Sequence, residues 1–232
     1  MRLKDSKVLI TGGSSGIGKA TASLLAESGA RVAITGRDPD KLKKTADEMG
    51  VVPIHLDQSR YEDIPVKLQT AVKELDGLDV LINNAGIGAP APMGELTAEK
   101  FERVFSVNVF GLALLTQEAV KIFKKQDYGH IVNVASTAAI NGYPGGSVYG
   151  ASKFALRGMT QCWQKELRVH NIRVMLINPS EVPTAFGRQD RSERAEVESK
   201  LTSVEIAHAI KSALEMDDRG FIPELSIWAT NP

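Results

Sequence analysis

Short apolar runs alternate with segments of helical spacing along most of the chain. Val8-Leu9-Ile10, closed by Thr11, stops at Gly12-Gly13; Lys19 to Ser28 then carries Ala20, Leu24 and Leu25 on a helical period before Gly29. Runs that stay apolar, rather than alternating with polar residues, predict strands buried on both faces. Further strands are predicted over Arg31 to Thr35, Val51 to Leu56, Asp79 to Ile82, His130 to Ala135 and Ile172 to Asn178, with a last one near Phe221 to Trp228. Helices are predicted over Asp40 to Met49, Tyr61 to Glu74, Phe101 to Lys124, Val148 to His170 and Val204 to Glu215. Such alternation predicts an α/β fold, a Rossmann-like doubly wound parallel sheet of about seven strands in three α/β/α layers. No linker or repeat interrupts it, so residues 1–232 read as one domain. The polar stretch from Ser180 to Thr202 contains no strand pattern and reads as a short lid near 180–203.

Composition adds exclusions. Lys plus Arg and Asp plus Glu each total 28, so the formal net charge is 28 − 28 = 0. A neutral chain lacks the basic excess of a nucleic-acid binder. Cys162 is the sole cysteine, which rules out an internal disulfide and favours a reducing, cytoplasmic setting. The histidines, His55, His130, His170 and His208, are scattered, and no metal site is expected. No stretch approaches the ~20 apolar residues of a membrane helix, so no membrane partner is expected.

The turn Thr11-Gly12-Gly13-Ser14-Ser15-Gly16-Ile17-Gly18 joins the first strand to the first helix. Glycines there allow backbone amides to approach a pyrophosphate at the helix N-terminus. The spacing departs from the common G-x-G-x-x-G pattern, and glycines also join strands to helices without any ligand. The second strand ends at Gly36-Arg37 with no carboxylate; Asp38 lies one step later and points elsewhere. An arginine at this place favours the 2′-phosphate of NADP(H) over the free hydroxyl of NAD(H), with Ser14 as a further donor. Asp57, closing the third strand, is placed either to meet the adenine amino group or to sit in a surface turn.

Tyr149 and Lys153 project from one face of a predicted helix as an i, i+4 pair. A free phenol titrates near pH ~10, and a neighbouring ammonium favours the phenolate, bringing the pKa toward neutrality. Tyr149 is therefore a candidate acid/base and Lys153 a candidate ribose donor. Read alone, Tyr-x3-Lys is a common helical spacing. Its company changes that: Ser136 follows a strand at the sheet's carboxyl edge, placed to polarise a carbonyl oxygen, and Asn108 lies inside a predicted helix, where its amide would hold a kinked backbone or a water leading to Lys153.

At this point the chain resembles the single-domain short-chain dehydrogenases/reductases. The matching segments are Thr11 to Gly18, Asn83-Asn84-Ala85-Gly86, Asn108, Ser136, Tyr149-x3-Lys153 and Asn178-Pro179, in family order and nearly the length of the chain. The resemblance implies an oxidoreductase acting on a carbonyl/alcohol pair. Tyr149 would be the acid/base, Lys153 its pKa tuner and ribose anchor, Ser136 the carbonyl orienter and Asn108 the holder of a water relay. Gly12, Ser14, Ser15, Gly16, Ile17, Gly18, Arg37, Asp57, Asn84, Ala85, Gly86, Pro179 and Val182 would bind the cofactor, and Thr184 its carboxamide. Gly86 to Pro92 would border a small-molecule substrate. The resemblance further implies a homo-oligomer, a tetramer or dimer, for which Phe110, Leu114, Met159 and Trp163 are candidate contacts, although they equally suit the domain's own core.

One residue departs from the family pattern: Ser180 stands where glycine usually follows Pro179. A hydroxyl there bears on substrate fit beside the nicotinamide, not on the fold. Substrate class stays open between 3-oxoacyl thioesters, general ketones and other alcohols or sugars. Arg188, Arg191 and Arg194 would suit an acidic carrier protein, but Glu193, Glu196 and Glu198 make the segment nearly neutral. Tyr143 and Phe186 suit an apolar pocket wall. A reading from another class is a non-catalytic NADP-binding module that regulates a partner.

Overall fold

The computed structural model describes residues 1–187 and 192–231. Seven strands form one sheet: β1 (Lys7–Ile10), β2 (Arg31–Gly36), β3 (Val52–His55), β4 (Val80–Asn83), β5 (Gly129–Val134), β6 (Ile172–Pro179) and β7 (Glu224–Ile227). Their order is β3-β2-β1-β4-β5-β6-β7 and every neighbouring pair is parallel. The order reverses at β1/β4, which opens a crevice at the carboxyl edge there.

Side-chain alternation within each strand builds two cores. Val8 and Ile10 face one side with Val32, Ile34, Val80 and Ile82, under α1 (Gly16–Glu27), α2 (Pro39–Met49) and α7 (Ser203–Glu215). Leu9, Ala33, Ile54 and Leu81 face the other, under α3 (Ile64–Leu75), α5 (Leu112–Gln126) and the end of α6 (Ser147–Leu167). This two-sided burial is why the strands lack polar alternation. Local chemistry sets the helix ends. Asp38 caps α2, accepting from the amides of Asp40 and Lys41 at 3.1 and 3.0 Å, with Pro39 in the first turn and Gly50 left-handed at the end. The Asp38 carboxylate is thereby committed to its own helix. Thr202 and Glu205 close a reciprocal capping box on α7.

The predicted helix over Phe101 to Lys124 is divided. α4 (Ala98–Phe105) leads into a π turn over Ser106–Gly111, and α5 continues from Leu112. Tertiary contacts hold the turn. Gln58 donates from Nε2 to the Val107 carbonyl at 2.9 Å, and Asn108 pairs with both backbone groups of Ile87 at 2.9 Å. A π turn frees backbone groups that need such partners. The predicted strand near Phe221 to Trp228 shortens to β7, an edge strand, while Phe221 packs into the core.

At the amino-terminal end of β5, inside the sheet, His130 is buried. Arg173 can only donate, so its 3.0 Å contact makes Nδ1 of His130 the acceptor and places the ring proton on Nε2, toward the Tyr128 hydroxyl at 2.9 Å. Burial, reinforced by the Arg173 charge, pushes the His130 pKa down to about 3. Between pH ~6.5 and 3 the unfolded chain gains a proton that the folded chain refuses, so stability is full above ~6.5 and is lost as pH falls toward 3. The expected loss is a few kcal/mol. Thermal melting across this range should show it, and His130→Gln, which keeps an acceptor for Arg173, should flatten the slope.

Candidate active site

The carboxyl edge of the sheet carries a cavity of about 800 Å³. It is bordered by the β1–α1 turn, the ends of β2, β4, β5 and β6, the start of α6 and the residue after β7. Of the sequence-predicted residues it collects Gly12, Ser14, Ser15, Gly16, Ile17, Arg37, Asn84, Ala85, Gly86, Ser136, Tyr149, Lys153, Pro179, Val182 and Thr184. Gly18, Asp57 and Asn108 are not on its wall.

Two glycines are required by close approach. Gly12 has φ +66°, and a Cβ there would lie 2.9 Å from the Ala85 Cα. A Cβ on Gly18 would overlap the Gly12 carbonyl, so Gly18 supports the turn from behind. Asn84 fastens the turn by donating from Nδ2 to the carbonyls of Thr11 and Gly12 at 2.9 and 3.1 Å, while the Thr11 hydroxyl accepts from the amides of Asn84 and Ala85. The result is a rigid loop with small residues facing the cavity and the start of α1 behind it, a fit to a dinucleotide pyrophosphate. Glu193 crosses from the segment after β6 to meet this loop, accepting from the amides of Gly16 at 3.2 Å and Ala185 at 3.0 Å.

At the β2 corner Arg37 is exposed and lines the cavity; a Cβ on neighbouring Gly36 would lie 3.3 Å from the Ser14 hydroxyl. Arg37 and Ser14 therefore share one corner, and no carboxylate lines it among the described residues. Asp57, at the end of β3, is tied into its own turn through one carboxylate oxygen. Its Oδ1 accepts from the Ser59 amide and hydroxyl at 3.0 and 2.7 Å. Burial works against its charge, but these bonds and the charges of Arg37 and Arg60 hold its pKa below the usual value. Leu56 and Gln58, on either side, reach the cavity instead.

At the β5 end Ser136 and Tyr149 stand together on the cavity wall, with the serine side chain near enough to favour the phenolate. The Lys153 ammonium donates to the Val134 carbonyl at 2.9 Å and stands 5.6 Å from the Tyr149 ring centroid. Burial pushes the Tyr149 pKa up to about 12, against the lowering effect of the Ser136 hydrogen bond, and pushes that of Lys153 down to about 8. The neutral-range phenol expected from the Lys153 charge is thus not found: loss of water outweighs it, and the ammonium is aimed at a carbonyl. Asn108 sits behind this group, donating to the Ser152 hydroxyl at 3.0 Å and joining α6 to the loop after β4. Its side chain thus ties the π turn to Ile87 and Ser152.

Two groups escaped the sequence reading. Asn83 donates to Thr116 and Asn133, and Asn133 to Thr160, forming a buried polar chain across β4 and β5. Its only sequence signal is asparagine within apolar strands. Trp228, one residue beyond β7, lines the cavity; its signal was its place at a strand end on the ligand edge. Arg188 and Arg191 lie outside the described residues. Among the described residues no helix is long and apolar enough to cross a membrane.

Comparison with known proteins agrees with this geometry. The family model for short chain dehydrogenase matches residues 6–195. A 3-oxoacyl-[acyl-carrier-protein] reductase of Thermotoga maritima is 40% identical over 189 residues, covering 79% of this chain and 77% of that protein. Among solved structures, an alcohol dehydrogenase from Thermococcus sibiricus complexed with 5-hydroxy-NADP superposes with a TM-score of 0.88 at 28% identity, covering 97% of each chain. A 3-ketoacyl-(acyl-carrier-protein) reductase from Brucella melitensis complexed with NADH gives 0.88 at 28% identity, covering 98% of each. With a seven-stranded parallel sheet, a fastened glycine turn and a family match over most of its length, this chain belongs to the short-chain dehydrogenase family of oxidoreductases.

Proposed function

We propose that this protein is an NADP(H)-dependent carbonyl reductase, reversibly an alcohol dehydrogenase, with Tyr149 as the acid/base. The observation that carries this reading is the Tyr149 phenol, with the Lys153 ammonium 5.6 Å from its ring, in one cavity with Ser136 and the glycine turn. The nicotinamide cofactor, when bound, supplies or accepts the hydride. The protein's residues do the rest. Ser136 and Tyr149 direct two O–H donors at the carbonyl oxygen, where negative charge develops. Tyr149 gives its proton to that oxygen in reduction and takes it back in oxidation. Lys153 donates to the Val134 carbonyl, and its remaining hydrogens would be free to hold a cofactor ribose. The Gly16 amide, which now donates to the Glu193 carboxylate, would be one of the groups holding a cofactor phosphate.

The similarity to the Thermotoga and Brucella proteins supports 3-oxoacyl thioesters as one substrate class, and the similarity to the Thermococcus enzyme supports simple alcohols as another. A coupled NADPH and NADH oxidation screen over ketones, 3-oxoacyl thioesters and sugars decides among them. Absence of turnover with NADPH binding intact favours a regulatory module. The cofactor preference rests on Arg37 and Ser14. Charged hydrogen bonds contribute about 1.5–3 kcal/mol, so Arg37→Ala should weaken NADPH binding about 10- to 100-fold and leave NADH binding within about twofold. Equal weakening of both cofactors in a fluorescence titration would overturn the preference.

A homo-oligomer belongs to the same reading. Phe110, Leu114 and Phe154 are exposed on the α5 and α6 side and supply an apolar face for it, whereas Met159 and Trp163 pack into the chain's own core.

A further inference from the structure

Aromatic residues are only 6% of the chain, and most have a role inside it. Among the described residues six are exposed: Tyr61, Phe110, Tyr143, Phe154, Phe186 and Trp228. Three of these, Tyr143 (49% exposed), Phe186 (38%) and Trp228 (56%), line the cavity that holds Tyr149. They come from unconnected places: the loop before α6, the segment after β6 and the residue beyond β7. Leaving apolar rings in water is unfavourable, and their convergence on one concavity marks a place where a ligand covers them.

Their arrangement gives the shape of that ligand. The Phe186 ring lies 5.4 Å from the Tyr149 ring, tilted by 57°. Gly88 also borders this ring: a Cβ there would lie 3.4 Å from it. A group bonded to a carbonyl at the Tyr149 hydroxyl thus meets a ring at once, in a slot that favours a flat substituent. Two charged side chains of the cavity lining have partners of their own. The Glu181 carboxylate is ion-paired with Lys200 at 2.5 Å, and Arg194 donates to the Phe186 carbonyl at 3.2 Å. Asn141 and Ser180 add neutral polar groups to the same lining.

We propose that the substrate end of the cavity selects uncharged aryl ketones, and the corresponding aryl carbinols in reverse, with Trp228 and Phe186 as specificity-determining residues. The proposal rests on the hydride-transfer reading above. In the reaction a hydride from reduced NADP adds to the ketone carbon, the C=O π bond breaks, and the Tyr149 proton ends on the oxygen, giving alcohol and oxidised NADP.

Two measurements on the full chain test the proposal. In the first, acetophenone, 2-butanone and a 3-oxobutanoyl pantetheine thioester are compared with NADPH. The expected kcat/KM for acetophenone exceeds both others by about tenfold, and Trp228→Ala raises KM for acetophenone about tenfold more than for 2-butanone, with kcat nearly constant. In the second, Trp163→Phe leaves Trp228 as the sole tryptophan, and acetophenone should quench its fluorescence saturably, a readout independent of turnover. Phe186→Leu, which keeps apolar bulk, should weaken that binding. Preference for the thioester, or an unchanged acetophenone KM in Trp228→Ala, overturns the proposal while leaving carbonyl reduction standing. Saturable quenching without turnover of any carbonyl keeps the binding class and overturns the hydride-transfer reading instead. Neither quenching nor turnover removes both.

Discussion

Tyr149→Phe is expected to lower kcat for carbonyl reduction by about 10²- to 10⁴-fold, the usual contribution of a positioned acid or base. The substitution removes one oxygen and keeps the ring that stands 5.4 Å from Phe186. Ser136 retains a partner, since its hydroxyl already accepts from the Ala138 amide at 3.1 Å. Cofactor affinity and melting temperature should therefore stay near their starting values, which separates loss of chemistry from loss of structure. Burial pushes the phenol up to about 12, so at neutral pH it carries the proton that reduction needs. Reduction should be flat with pH through neutrality. Oxidation needs the phenolate, and its rate should rise with pH. Burial also holds Lys153 at about 8, so its charge, which favours the phenolate, fades above that value and softens the rise. Stopped-flow rates in both directions check each sign. Full turnover in Tyr149→Phe would remove Tyr149 from the chemistry.

Gly111→Ala is expected to cost about 3 kcal/mol of stability, at the upper end for added bulk in a packed interior. Gly111 closes the π turn, and a Cβ there would fall on the Gln58 carbonyl and lie 2.9 Å from its carbon and from Cγ. The obstacle is backbone, so no side-chain rotation relieves it. The chain can move apart only by giving up the bond from Gln58 to Val107 that satisfies the turn. For a chain of this length the melting temperature should fall by roughly 6–12 °C. Gly158 is the control. It lies on the exposed face of α6 with nothing within 4 Å of an added Cβ, so Gly158→Ala should stabilise by about 0.5–1 kcal/mol. Urea denaturation of the two variants measures both. Similar effects would mean that the π turn is not clamped as described. Because Asn108 sits inside the same turn, Gly111→Ala should also lower activity beyond what the lost folded fraction explains.

The contrast between these two glycines shows where sequence pattern stops being informative. Both occur inside segments with helical spacing, and nothing local distinguishes them. One touches a strand-end loop far along the chain and the other touches water. The same holds for the apolar residues of α5 and α6. Phe110 and Leu114 face outward while Met159 and Trp163 face inward, although all four were equal candidates by residue type. Asp57 shows the limit at the site itself. Its position at the end of β3 follows from the apolar run before it, but the bond from the Ser59 hydroxyl to one of its carboxylate oxygens, at 2.7 Å, comes from the tertiary turn.

By itself the sequence determined the parallel sheet, the glycine turn at its switch point and the side-by-side placement of Tyr149 and Lys153. These are short-range or periodic features. Continuous apolar runs can be buried only on both faces, glycines permit one tight turn, and an i, i+4 pair shares a helix face whatever surrounds it. The tertiary structure alone decided the π turn, the protonation of Tyr149 and Lys153, and the aromatic walls brought together by Tyr143, Phe186 and Trp228. Each depends on how much water is excluded and on which distant backbone arrives, and neither quantity is carried by local spacing.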